Sequence, residues 1–324
     1  MRKAFINTLV KQALRDDNIW LLVADVGYGL VEPFRDKFPD RFVNVGIAEQ
    51  NMIGVATGLA MSGKTVFCYS LANFPTFRCL EQIRNDICYH EANVKIVSAG
   101  AGLSYGALGS THHAIEDVAI MRALPNIAVV SPCDPIEAAL ATKAISEFDI
   151  PCYLRLSRDG DPIIHNDIPE FMLGSAMKLK DGGSTAIIGY GSIMSEVMKA
   201  AGILNSRQFY PQVWSFPTIK PLDIYTISKF QRIIVVEEHS LIGGLGSAVA
   251  ERIADSGSDT KLMRIGIDER FCTEIGSQQY IREKNGLTAK LIADRIVVYI
   301  TEGLKAHNYL ANSYVARSGE VRYL

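Results

Sequence analysis

The chain has 324 residues, 48% of them hydrophobic and 21% charged, with Lys+Arg 33 against Asp+Glu 35 and a formal net charge of -2. This is ordinary globular usage at a length that suits two domains, and it excludes a disordered or fibrous chain. Without a basic excess there is no electrostatic footprint for nucleic acid and no polybasic segment for a membrane surface. The amino-terminal residues Met1-Arg2-Lys3-Ala4-Phe5 lack the apolar core of a secretory signal, and no stretch approaches the roughly 18 apolar residues that span a bilayer. A cytoplasmic protein is expected. The six cysteines, Cys68, Cys79, Cys88, Cys133, Cys152 and Cys272, form no C-x-x-C and sit mostly in apolar runs. That pattern predicts small buried hydrophobes in a reducing compartment.

Along the chain, short apolar runs alternate with segments of helical period. Strands are predicted over 19–24, 42–45, 65–69, 94–98, 127–131 and 152–156, with helices over 3–16, 48–61, 77–91, 115–124 and 134–147. The alternation predicts an α/β fold, a mostly parallel β-sheet with helices on both faces. A polar, proline-containing stretch from Asp159 to Pro169 marks a boundary, with a linker over about 160–175. Beyond it come a strand over 185–189, a helix over 192–204 and strands over 212–216 and 232–236. A helix after Gly243, Gly244 and Gly246, a strand over 261–265 and a last helix over 287–304 complete a second layer structure of the same kind. The expected domains are 1–165 and 175–305, and the polar residues 306–324 are read as a tail.

Ligands of an open parallel sheet bind outside the carboxyl ends of its strands, so the residues after each predicted strand are the candidates. They are Asp25-Val26-Gly27-Tyr28-Gly29, Gly46-Ile47-Ala48-Glu49-Gln50-Asn51, Ser70-Leu71-Ala72-Asn73-Phe74, the glycine-rich Gly100 to Gly106 leading to Thr111-His112-His113, then Ser131 to Asp134, and Ser157-Arg158-Asp159. Carboxylates, imidazoles and an arginine thus collect on one rim. Glu49 opens a helix of otherwise apolar or small residues, in which Gly54 and Gly58 leave one face flat for close packing. Two readings of this acid are open: complementing the helix dipole, or binding or protonating a ligand as a desolvated carboxylate.

Gly46-Ile47-Ala48-Glu49-Gln50-Asn51-Met52 resembles the pyrimidine-binding motif of the transketolase and deoxyxylulose-phosphate synthase family, which uses thiamine diphosphate. The resemblance continues through Ser70 to Arg84, through Gly109 to Asp117 (GSTHHAIED) and through Ala123-Leu124-Pro125-Asn126. In the second half it takes in Val235-Val236-Glu237-Glu238-His239 and Gly243-Gly244-Leu245-Gly246-Ser247. It implies a pyrimidine-binding domain over 1–165 and a transketolase C-terminal domain over 175–305. The family holds the diphosphate and its magnesium through a separate domain carrying G-D-G and a downstream asparagine. This chain has no G-D-G; Gly160-Asp161-Pro162 is a linker turn. The resemblance therefore implies the C-terminal half of a split transketolase. A partner subunit would carry the diphosphate domain and hold most of the thiamine diphosphate and the Mg2+ (or Ca2+), with no metal ligand in this chain. Each site would lie across the interface of an α2β2 assembly containing a self-dimer.

By the same resemblance Glu49 hydrogen-bonds a ring nitrogen of the aminopyrimidine and activates it, and Ile47 lies in the same cofactor motif. Phe74 and Phe77 match the stretch on which the pyrimidine stacks, although Pro75 stands where other members have an aromatic, and both rings also fit a core role. Arg78 reaches cofactor or substrate, or is a solvated helix arginine. His112 matches a histidine on the substrate oxygens, with His113 a lesser candidate, against a structural hydrogen bond. Arg158 matches an arginine on the substrate phosphate; an exposed arginine entering the linker is the other reading. Leu108 replaces an acid that reads substrate hydroxyls and Gly100 replaces a histidine, which implies a less polar pocket and a deoxy or otherwise modified sugar. Glu237, Glu238 and His239 either line the pocket or form a charged turn before the glycine-rich helix start. The implied activity is transfer of a two-carbon ketol unit from a ketose (phosphate) to an aldose acceptor. The beta subunit of a 2-oxo-acid dehydrogenase, a pyruvate-using synthase of the same family and a non-catalytic scaffold half are the alternatives. A Rossmann dinucleotide site is disfavoured because no G-x-G-x-x-G follows a strand near an acid.

Overall fold

A computed structural model describes residues 1–158 and 160–302; the expected tail over 306–324 lies outside the described residues. The strands are β1 (Ile19–Val23), β2 (Phe42–Asn44), β3 (Thr65–Leu71), β4 (Val94–Ala99), β5 (Ala128–Val130), β6 (Cys152–Leu156), β7 (Met177–Lys180), β8 (Thr185–Gly189), β9 (Gln212–Ser215), β10 (Thr218–Lys220), β11 (Arg232–Ser240) and β12 (Lys261–Ile267). They form a seven-stranded sheet in the order β10-β5-β6-β4-β3-β1-β2 and a five-stranded sheet in the order β12-β11-β8-β9-β7. Pairing is parallel except at one edge of each sheet, where β10 runs antiparallel to β5 and β7 antiparallel to β9. Both sheets carry helices on both faces, as the alternation predicts. Strands β4 and β6 are buried along their whole length, so they read as mostly apolar runs rather than alternating ones, with Lys95 and Arg155 as buried exceptions. All six cysteines are buried and free. No helix among the described residues is long and apolar enough to cross a membrane.

Some elements depart from the sequence expectation. The segment predicted as one helix over 77–91 is a 3-10 turn (Phe77–Cys79), a single α turn (Leu80–Gln82) and a wider π turn (Ile83–Cys88). The strand expected over 232–236 continues to Ser240, so Glu237, Glu238 and His239 lie buried in β11 and not in a charged turn. The edge strands β7 and β10 and the short helices Glu32–Lys37 and Gln278–Lys284 carry too few apolar residues to show a period.

Because β10 comes from beyond the linker, the second half of the chain completes the first sheet. The linker itself is tied down. The Asp134 carboxylate accepts from Ile164 N at 2.8 Å and His165 N at 3.1 Å while capping the helix Pro135–Ser146 through Glu137 N. His165 Nε2 lies 2.8 Å from Glu137 Oε1. Burial works against a charge on this imidazole, but the hydrogen bond and charge of Glu137 outweigh it and raise its pKa above 6.5.

The two layers are joined around a buried guanidinium. Arg155, on β6, donates Nε to Asp117 Oδ2 at 2.7 Å and Nη2 to the carbonyls of Ala114 at 2.7 Å and Glu238 at 3.2 Å. Tyr153 donates to the same carboxylate oxygen at 2.6 Å. An apolar cluster that includes Met52 and Val129 of the first layer and Ile188, Phe216 and Val235 of the second continues the join. Replacing Arg155 with Met removes the cation opposite the buried Asp117 carboxylate, which keeps the Tyr153 hydroxyl as a donor, and is expected to cost roughly 3–5 kcal/mol in a urea titration. A loss below about 1 kcal/mol, the scale of a surface pair, would contradict this account of the join.

Candidate active site

The rim at the carboxyl ends of β1–β4 is built from turns that aim polar groups outward. Asn44, the last residue of β2, accepts from Asp25 N and Gly46 N at 3.0 Å each, which ties the exits of β1 and β2 together. Glu49 follows at the start of the helix Glu49–Met61 and is only 3% exposed. Met52, Ile53 and Ala56 press that helix onto the sheet. Gly54, Val55, Gly58 and Met61 face outward, and a Cβ built on either glycine meets nothing within 4 Å. The flat face expected from the sequence is bare in the single chain.

Most of the residues singled out from the sequence form one line of contacts across the rim. Arg78 Nη1 donates to Glu49 Oε2 at 3.1 Å, and its guanidinium carbon stands 4.6 Å from the centre of the Phe74 ring. The Phe74 and His112 rings meet edge to face at 5.3 Å. His112 then meets Tyr105 at 6.4 Å, and Arg158 lies over Tyr105 at 5.5 Å. Thr111 Oγ1 is 3.0 Å from His112 Nδ1. Ile47 stands outside this line, in the turn before Glu49, and is 81% exposed.

His113 is placed differently from His112. It is buried against a cavity of about 340 Å3, whose lining includes Phe74, Phe77, Arg78, Glu116 and Phe271. Neither of its ring nitrogens has a hydrogen-bond partner. Burial lowers its pKa below 6.5, outweighing the opposite pull of the Gly106 backbone and the Glu238 carboxylate. Asn73 Nδ2 donates to the His113 carbonyl at 2.6 Å and fixes the backbone there. Glu116 has its pKa raised by burial and then by the neighbouring Asp117 charge.

Three contributors carry no mark in the sequence. Tyr105 fills the space above Gly100, where a Cβ would lie 2.2 Å from its ring at a φ of +102°. An aromatic face thus covers Gly100. Glu116 lies within the GSTHHAIED segment but has no signal of its own. Phe271 comes from the second domain, where nothing in the local sequence points to the rim. Leu108 is 53% exposed in the same loop as Tyr105. The Glu237 carboxylate accepts from Leu245 N at 2.8 Å and Gly246 N at 3.0 Å and so caps the glycine-rich helix start.

A buried carboxylate, an aromatic ring and a neutral imidazole on one rim suit a flat, nitrogen-rich ring. Arg78 engages Glu49 Oε2 and leaves Oε1 for a ring nitrogen. The pyrimidine end of thiamine diphosphate fits these groups. Its diphosphate finds no counterpart of the G-D-G motif in the chain.

Comparison with known proteins agrees with this geometry. Residues 1–160 match the pyrimidine binding domain of transketolase and residues 174–292 match the transketolase C-terminal domain. A protein of Methanocaldococcus jannaschii described as a transketolase C-terminal section is 40% identical over 301 residues, 92% of this chain and 95% of the relative. One chain of the 6-deoxy-6-sulfo-D-fructose transketolase of a Clostridium species is 36% identical over 297 residues, 90% of this chain and 92% of the relative. A solved structure described as a split gene transketolase, inactive beta4 tetramer, superposes with a TM-score of 0.83 at 35% identity, covering 90% of this chain and 95% of that one.

The environment of His113 can be checked without knowing any ligand. In an imidazole NMR titration of the full chain, His113 is expected to change charge below its ordinary 6.5. Titration at or above that value would contradict the buried position described above.

Proposed function

The chain belongs to the transketolase family, and we propose that it is the C-terminal-half subunit of a two-chain, thiamine-diphosphate-dependent transketolase. In this reading it moves a two-carbon ketol unit from a ketose (phosphate) to an aldose acceptor. One carbon–carbon bond of the donor breaks and one to the acceptor aldehyde forms, with no net redox change. The observation that carries the reading is Glu49, a carboxylate 3% exposed at the mouth of a helix on the ligand-binding rim. A buried acid in such a place costs stability unless it is fully paired, and Arg78 meets only its Oε2, which leaves Oε1 for a ligand.

When bound, the thiazolium of the cofactor supplies the electron sink for the bond cleavage. Glu49 accepts a hydrogen bond from the pyrimidine and holds the ring nitrogens in the protonation pattern that activates it. Phe74 and Phe77 give the ring an apolar wall, with Arg78 closing the Glu49 side. Ile47, exposed in the turn before Glu49, faces the place where a second chain would complete the pocket. His112 and His113 hold substrate oxygens and move protons to and from them, and the guanidinium of Arg158 takes the phosphate of the sugar. The diphosphate and Mg2+ (or Ca2+) are assigned to a partner subunit carrying G-D-G. The bare face of the helix Glu49–Met61 supports a self-dimer within an α2β2 assembly. The structure of the related beta4 tetramer is described as inactive, which supports the need for that partner.

The tyrosine over Gly100 and the exposed Leu108 make the hydroxyl-reading side of the pocket apolar. They favour a sugar with a hydroxyl missing or modified there, and the relative named for 6-deoxy-6-sulfo-D-fructose is consistent with a modified sugar.

Two measurements test the reading. A pull-down with this chain as bait, read by mass spectrometry, is expected to return a subunit with G-D-G and a downstream asparagine; a lipoyl-linked alpha chain, or no partner, would contradict it. In the reconstituted pair, Glu49→Gln keeps the side-chain volume and is expected to lower ketol transfer about 100-fold or more with an unchanged melting temperature. Normal turnover by this variant would remove Glu49 from the mechanism.

A further inference from the structure

We propose that Glu238 is a positioning residue: from the second domain it fixes the glycine-rich loop that presents His112 and His113. This role rests on the reading of those histidines as substrate-contacting groups.

The loop is a closed ring. Gly102 and Ala114 form an antiparallel bridge at its base, with Gly102 N to Ala114 O at 3.1 Å and Ala114 N to Gly102 O at 2.9 Å. Between them the chain winds through short 3-10 turns, Gly106–Leu108 and Ser110–His112, which by themselves hold little. Side chains from other elements fix it, Arg155 at the Ala114 carbonyl of the base and others farther along. On the far side Asn73 takes the His113 carbonyl, as described above. On the near side Glu238 Oε1 accepts from Leu103 N at 2.6 Å.

Glu238 is itself held rigidly. It is 3% exposed, and Gln278 Nε2 donates to the same Oε1 at 2.8 Å. Arg282 donates Nε to Oε2 at 2.5 Å and Nη2 to Ser192 Oγ at 2.9 Å. Gln278 also reaches Ser104 Oγ at 3.4 Å, and Gly276 N meets Gly106 O at 3.3 Å. The approach is close enough that a Cβ on Gly102 would lie 2.5 Å from Glu238 Oε1.

A buried ion pair is a poor way to gain stability, because the cost of desolvating both charges offsets their attraction. It is a good way to hold a donor in one place. A carboxylate with Arg282 on one oxygen and two N–H groups on the other has a single orientation, and the Leu103 amide is fixed with it. Glu238 touches neither histidine ring. Its charge also pulls the His113 pKa upward, and the Gln278→Ala variant, which keeps that charge, separates this from the effect that travels through the backbone from Leu103 to His113.

The test uses the full chain, with Glu238→Gln as the isosteric variant and Gln278→Ala as a milder one that keeps the Glu238–Arg282 pair. Hydrogen–deuterium exchange over residues 101–113 is expected to quicken about tenfold or more in Glu238→Gln, the scale of one charge-assisted hydrogen bond, while β3 and β4 keep the wild-type rate. Gln278→Ala is expected to shift the same amides in the same direction by less. In the reconstituted pair kcat per assembled site then falls with little change in KM, whereas a merely structural role would reduce the number of assembled sites and leave kcat per site alone. Unchanged exchange over the loop in both variants overturns the proposal, as does a loosened loop with an unchanged kcat per site. If the wild-type pair itself transfers no ketol unit, the proposed function falls, and the exchange result alone decides whether Glu238 holds the loop.

Discussion

The molecule turns on one buried guanidinium. Arg155 is buried, so its donors must find oxygens within the protein, and those of Nε and Nη2 come from three different places. Asp117 brings the start of a helix, Ala114 brings the base of the glycine-rich loop, and the carbonyl of Glu238 brings β11 of the second sheet. Satisfying this one cation therefore sets how the two layers meet. Because β10 lies on the first sheet, the join is also made by backbone pairing. The domains are separate as layer structures but share one polar centre.

The centre lies directly behind the rim. Asp117 and Glu116 are adjacent, so the same turn that delivers a carboxylate to Arg155 delivers another to the cavity. The segment after β12 contributes Phe271 to that cavity, and the helix Gln278–Lys284 contributes the groups that hold Glu238. The second domain is thus part of the wall and part of the scaffold of the site.

What the sequence conveys and what it withholds follow from distance along the chain. Central strands such as β4 are buried on both faces and announce themselves as apolar runs, whereas β7 and β10 are short edge strands whose partners cannot be inferred locally. Glu49 is legible because a single acid opening an apolar helix is an anomaly within a few residues. The line from Arg78 through Phe74 and His112 to Arg158 is legible only as separate candidates, since no local pattern reveals that rings from different loops touch. Glu238 reads as part of a charged turn because its partner, the Leu103 amide, is 135 residues away. Tyr105 goes unmarked for a related reason: only the fold shows that its ring covers Gly100.

Two histidines, one on the rim and one in the linker, have opposite consequences for proton linkage. His113 has its pKa lowered in the fold, so the unfolded chain binds a proton first as the pH drops below 6.5, and stability is lost on the acid side. His165, held by Glu137, has its pKa raised. Its contribution is present below 6.5 and is lost as the pH rises through the raised value, on the alkaline side. One imidazole without a partner and one with a carboxylate thus oppose each other's pH dependence. Taken together they favour the fold most between the lowered and the raised value, and the linker clasp loosens toward alkaline pH, where the rim histidine is already neutral in both the folded and the unfolded chain.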